Sequence, residues 1–171
     1  MHTAVVAAYA ALVQHRFQDF VTLLDTCDAL QGQNTDFVIR DSGGFELEDF
    51  ETVPGQKYRN LLACAVDMGD LEVATFLLDN GANPNTRDWH EYDGRTLLEY
   101  FVGRPDAPNA AQMFALLVRR GANPHELVDH GGEAGASVWT ELQRVALTNA
   151  HAAALRDTVS IYVSGNHHAQ S

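Results

Sequence analysis

One short pattern occurs twice, and it constrains the fold more than any other feature of the chain. Asn80-Gly81-Ala82-Asn83-Pro84 returns 40 residues later as Arg120-Gly121-Ala122-Asn123-Pro124. Each copy closes an apolar segment with helical spacing, residues 71–78 in the first case and 111–118 in the second. In the first, Val73, Phe76 and Leu77 fall at i, i+3 and i+4, with Ala74 and Leu78 extending the same face. A glycine directly after a helix suits a left-handed terminal cap, a conformation that a Cβ penalises. A second apolar stretch precedes each copy, residues 60–66 ahead of Asp67-Met68-Gly69-Asp70 and residues 96–102 ahead of Gly103-Arg104. Asn60 and Thr96 stand where side chains accept from free amides at a helix start, each worth about 1 kcal/mol. The unit is therefore helix, tight turn, helix, glycine cap, extended loop. Neither helix buries its apolar face alone, so neighbouring units must stack.

This pattern resembles the ankyrin repeat, whose unit is two antiparallel helices followed by a projecting hairpin loop. The segment from Asn60 to Asn85 matches the family motif best, and its 21 residues from Asn60 to Gly81 are the spacing the resemblance implies. Asn60 to Thr96 spans 36 residues, and the excess falls in the tip Asp88-Trp89-His90-Glu91-Tyr92-Asp93-Gly94. Thr96 to Pro124 looks like the next repeat. Its helices are separated by about four extra residues within Gly103-Arg104-Pro105-Asp106-Ala107-Pro108-Asn109, which read as an ordered turn insertion. The family's Pro-Leu-His is replaced by Leu61-Leu62-Ala63 and Leu97-Leu98-Glu99, so an array less regular than a consensus one is expected.

The flanks extend this architecture by helix pairing alone. Residues 4–13 and 17–24 form two candidate helices around a turn at His15-Arg16, and Ser137 begins another pair that continues through 151–163 with Leu155, Val159 and Tyr162 or Val163 as its stripe. The expectation is an all-α, ankyrin-like helix-pair solenoid with an inserted β-hairpin, one domain over residues 1–165 followed by a polar tail at 166–171. Helix pairs are expected near 3–25, 60–80, 96–120 and 137–163. The hairpin is placed in residues 30–57, where two apolar or alternating runs are split by Asp41-Ser42-Gly43-Gly44. The alternatives there are a partly disordered insertion or a short helix.

Charge narrows the range of partners. The chain carries 11 Lys and Arg against 23 Asp and Glu, a net charge of −12 spread over its whole length, and Lys57 is its one lysine. Nucleic-acid backbones are attracted by Lys and Arg that displace counterions, so direct nucleic-acid binding is not expected, nor is attraction to anionic membrane. No run of 18 apolar residues is present, and the start, Met1-His2-Thr3, lacks the basic segment of a secretory signal. With two cysteines, Cys27 and Cys64, outside any Cys-x-x-Cys pair, reduced thiols and a cytoplasmic setting are expected.

Motifs of catalysis and ligation are sparse. His-Glu-x-x-His, Gly-x-Ser-x-Gly, a phosphate loop and an EF-hand loop are all missing, and Gly131-Gly132-Glu133-Ala134-Gly135 lacks the Lys-Ser/Thr a phosphate loop needs. His125, Glu126, Asp129 and His130 have residue types that suit zinc, but a solvated loop explains them better. Asp88, His90, Glu91 and Asp93 read as a polar rim, His167-His168 as part of the tail, and Cys27 near His15 as an inert thiol beside a helix pair. No enzyme, metal or cofactor is expected.

What remains is stoichiometric protein binding. Stacked helix pairs present a concave groove and a row of loop tips that vary without disturbing the core. The candidate contact residues are Trp89 and Tyr92 at the enlarged tip, Asp67, Met68 and Arg104 at the turns between helices, and Phe45, Glu46 and Glu48 in the insertion. Large aromatics dominate many interfaces, although Trp89 folding back on its own loop is the alternative. Acidic residues around Phe45 favour a partner with a basic surface. Two rival readings are an acidic mimic of nucleic acid that occupies a basic groove, and a self-associating structural module.

Overall fold

The apolar spacings just described fold as successive helix pairs. The computed structural model describes residues 2–25, 61–88, 95–128 and 135–165. In chain order these form α1 (His2–Val13), α2 (Phe17–Asp25), α3 (Leu61–Met68), α4 (Leu71–Asp79), β1 (Arg87–Asp88), β2 (Arg95–Thr96), α5 (Leu97–Gly103), α6 (Ala110–Arg119), α7 (Val138–Val145) and α8 (Ala150–Gly165). The two-residue strands pair antiparallel, Arg87 opposite Thr96 and Asp88 opposite Arg95. The hairpin expected in residues 30–57 lies outside the described residues, as do Asn60 and the tail from 166.

Two compact units result. The described residues up to Val66 pack with Asp70–Asn83, while Asp67–Gly69 pack with the described residues from Pro84 onward. Leu77 thus lies in the first unit and Leu117 in the second.

In the first unit α1 packs on α2, and an aromatic stack joins α2 to α4. Phe17 lies face to face on Phe76 with centroids 4.4 Å apart, and the buried Phe20 meets the same ring edge-on at 6.1 Å. Such pairs add roughly 0.5–1.5 kcal/mol to the area they bury. Asp70 starts α4, its carboxylate accepting from the Val73 amide at 3.0 Å.

The second unit has the stacking order of a helix-pair array. α5 packs on its partner α6 and α7 on its partner α8; across the pairs, α5 meets α7 and α6 meets α8. The apolar stripe of α8 is Ala152, Leu155, Val159 and Val163, all buried, while Tyr162 sits at the edge with the Arg119 guanidinium 5.5 Å from its ring centroid. Thr96 caps α5 through its hydroxyl, which accepts from the Glu99 amide at 3.3 Å, and Glu99 returns the favour by accepting from the Thr96 amide at 2.6 Å. Glu99 stands where the ankyrin motif carries histidine. Its carboxyl group is buried, and the capping box gives it a backbone partner there.

The repeated glycines are explained by two equivalent helix ends. Gly81 and Gly121 have φ of 96° and 100°, and each helix closes with the same pair of bonds. The Gly81 amide donates to the Leu78 carbonyl and the Ala82 amide to Leu77; the Gly121 amide donates to Val118 and the Ala122 amide to Leu117. This double closure satisfies carbonyls that a helix end leaves open. It also turns Ala82 and Ala122 back onto the buried Leu77 and Leu117, which is why a small apolar residue follows each glycine.

Candidate functional site

Three of the eight proposed contact residues lie in described segments, and two of them, Asp67 and Arg104, meet at Tyr100. Asp67 and Met68 form the last turn of α3, and Arg104 caps α5, its amide donating to the Tyr100 carbonyl at 3.0 Å. The Tyr100 hydroxyl donates to the Asp67 carboxylate at 3.1 Å. The Arg104 guanidinium lies 3.7 Å from the same carboxylate and 5.4 Å from the centre of the Tyr100 ring. Tyr100 was absent from the sequence candidates, yet it organises the group: its ring is buried at 3% exposure against Phe101, and only its hydroxyl reaches the acidic edge.

The neighbouring turn is held closely. Gly69 has φ of 67°, and a Cβ placed there would stand 2.7 Å from both the Pro108 side chain and the Pro108 carbonyl oxygen. The Asn109 side-chain amide donates to the Gly69 carbonyl at 2.7 Å. The insertion between α5 and α6 is thus an ordered wall: the Ala107 amide donates to Arg104, the Ala110 amide to Ala107, and Pro105 is buried. Met68, next to Asp67 in the chain, is 45% exposed, and the Arg104 side chain is 61% exposed while its guanidinium lies over the Tyr100 ring and near the Asp67 carboxylate.

Trp89, Tyr92, Phe45, Glu46 and Glu48 lie outside the described residues, as do Cys27, Asp129 and His130. His125 and Glu126 fall in the loop after α6, and among the described residues no group of three His, Cys, Asp or Glu side chains is placed to hold a metal ion. Cys64 is buried in α3 and forms no disulfide. His15 faces two carboxylates of its own unit, Asp70 and Glu72. A separate open concavity of about 290 Å³ lies between the insertion and α8, bordered by Asp106, Asn109, Gln112, His151 and Thr158, and it includes none of the proposed contact residues. Among the described residues no helix is long and apolar enough to cross a membrane.

The helix pair, its glycine cap and the loop that follows are also what comparison with known families picks out. The ankyrin-repeat model matches residues 58–89. The matched stretch contains α3, α4, the cap at Gly81 and two of the candidate contact residues, Asp67 and Met68. It supports kinship with the ankyrin-repeat family through this one repeat. Comparison with curated proteins gave no match.

Proposed function

We propose that the chain is a stoichiometric protein-binding module of ankyrin type, in which residues 96–124 form a second repeat after the matched one. The reading rests above all on the meeting of Asp67 and Arg104 at Tyr100, with the solvent-facing Met68 next to Asp67 in the chain, since an exposed methionine and a held arginine suit a protein surface. Support for the second repeat comes from the equivalent bonding of the helix ends at Gly81 and Gly121. Trp89, Tyr92, Phe45, Glu46 and Glu48 are further proposed contact residues, on the strength of the sequence alone. The mechanism is presentation of a preformed edge, in which little ordering entropy is spent on binding and no bond is made or broken.

The experiment is capture of a partner from native lysate by the full chain, followed by measurement of its Kd with purified partner. Met68→Glu together with Arg104→Glu is expected to weaken binding at least tenfold while the far-ultraviolet circular dichroism is unchanged. Trp89→Ala with Tyr92→Ala tests the tip in the same assay. Binding that survives both pairs of substitutions overturns this reading. Binding that instead falls steeply with salt and with charge reversal at Glu46 and Glu48 favours the acidic-mimic alternative.

A further inference from the structure

The turn between α1 and α2 is built around a histidine in an unusual backbone position. His15 has φ of 60°, a left-handed conformation that a non-glycine residue rarely adopts. Its ring spans two carboxylates of another helix: Nε2 lies 2.8 Å from Asp70 Oδ2 and Nδ1 lies 2.9 Å from Glu72 Oε2. One face of the ring also stacks on Phe17, which in turn stacks on Phe76 of α4. A neutral imidazole has one N–H and one lone pair. With a carboxylate oxygen facing each nitrogen, the neutral ring would turn its lone pair on one anion. Only the doubly protonated ring satisfies both contacts.

We propose that His15 is a proton-controlled clasp, holding the α1–α2 pair to the start of α4 when the imidazolium bridges Asp70 and Glu72 and loosening that pair when the ring loses its proton. Asp70 is the pivot. One of its oxygens caps α4 through the Val73 amide at 3.0 Å, and the other receives His15. Among the described residues the other charges at the turn are Arg16 and Asp19, which neutralise one another in a 2.8 Å pair. His15 therefore faces net negative charge from α4 with nothing of its own turn to offset it.

The direction of titration agrees with the geometry. The hydrogen bond to Asp70 raises the His15 pKa above its usual value, aided by the charges of Asp70 and Glu72 and opposed by desolvation. Desolvation works to raise the Asp70 pKa, but the Val73 amide and the His15 ring together hold it below the usual carboxylate value. A group whose folded pKa is raised stabilises fully below its unfolded value, about 6.5 for histidine, and the contribution disappears as pH rises through the folded value. The Asp70 side of the clasp is present above the ordinary carboxylate range and lost as pH falls through its lowered value. The clasp is therefore closed in mildly acid solution and opens as pH rises through the raised His15 value.

The test is amide hydrogen exchange on the full chain, read over residues 2–25 and corrected for the intrinsic pH dependence of exchange. Protection is expected to fall at least about twofold between pH 6 and pH 8.5 in the natural sequence. His15→Asn keeps a residue that tolerates the left-handed backbone, and its protection should be low and level across that range. Glu72→Gln leaves the Asp70 cap intact and should shrink the pH effect without abolishing it. The imidazole of His15, followed by NMR, should titrate higher in the folded chain than in urea. Equal midpoints in the two states, or a pH effect that persists unchanged in His15→Asn, overturn the clasp.

Discussion

The side-chain amide of Asn85 donates to the Gly121 carbonyl at 2.9 Å, across 36 residues of sequence. The same side chain accepts from the Asn123 amide at 2.8 Å, so one residue after the first glycine cap binds both sides of the second. The amide is suited to this because it offers a donor and an acceptor at once. The position after the second cap carries His125, whose own amide donates to the Asn123 side chain at 3.0 Å. From there the chain is joined to the next helix pair by backbone bonds, Val128 to Ala136, Val138 to Glu126 and Trp139 to Pro124. Successive loops are fastened by a side chain in one place and by main chain in the next.

Asn85→Ala removes both bonds and is expected to lower stability by about 1–2 kcal/mol. Asn85→Asp retains the acceptor for Asn123 but brings a carboxylate to the Gly121 carbonyl, so it should recover little of the loss. Urea denaturation of the two variants measures both effects. A change within about 0.3 kcal/mol in Asn85→Ala would show that the bridge contributes nothing net.

Two glycines of the second unit should respond in opposite ways to alanine. At Gly69 the added methyl meets Pro108 at 2.7 Å and the backbone has a positive φ, so the insertion must shift and a loss of about 2 kcal/mol or more is expected. At Gly103, the last residue of α5, nothing lies within 4 Å of the added carbon. There the unfolded chain loses freedom and Gly103→Ala should stabilise by up to about 1 kcal/mol. Thermal melts that place both variants on the same side of the natural sequence would contradict this account of the turn.

Tyr100→Phe keeps the buried ring and removes the hydroxyl that reaches Asp67. The expected cost is about 1 kcal/mol, the net worth of one hydrogen bond. The more telling consequence is local. Arg104 retains its place above the ring but its carboxylate neighbour is no longer anchored, so partner affinity should change more than stability does. A binding constant unchanged beyond experimental scatter, with stability lowered, assigns Tyr100 a purely structural role.

Helix pairing was legible because it is written in local periodicity, and the glycine caps because a left-handed helix end leaves a residue-specific mark at Gly81 and Gly121. The capping box at Thr96 was legible in part: the threonine announced a helix start, while Glu99 was read as a departure from the ankyrin motif when its spacing of three fits the reciprocal cap. Asp70, directly after Gly69 and before an apolar run, carried an N-cap signal of the same kind that sequence reasoning passed over. Tyr100 at the candidate edge and His15 at Asp70 were not readable. Their partners are 33 and 55 residues away, and nothing in a local pattern says which turn of one helix pair meets which residue of another.

Glu141 gives the clearest acid-side prediction. Its carboxylate is buried in the first turn of α7 and is held by the Arg144 side chain, with Nε donating to Oε2 at 2.9 Å and Nη2 to the second oxygen. The hydrogen bonds from Arg144 lower its pKa, against the opposing effect of burial. Lowered in the folded state, the group contributes stability that is complete above the unfolded glutamate value, about 4.3, and is lost as pH falls through the folded one. Arg144 is more than half exposed, so screening keeps the pair to at most about 1 kcal/mol. Glu141→Gln should therefore melt lower than the natural sequence at pH 7 and converge with it as pH falls through the lowered folded value of the natural side chain. Parallel melting curves over that whole interval would mean that the Arg144 contact leaves Glu141 titrating alike in both states.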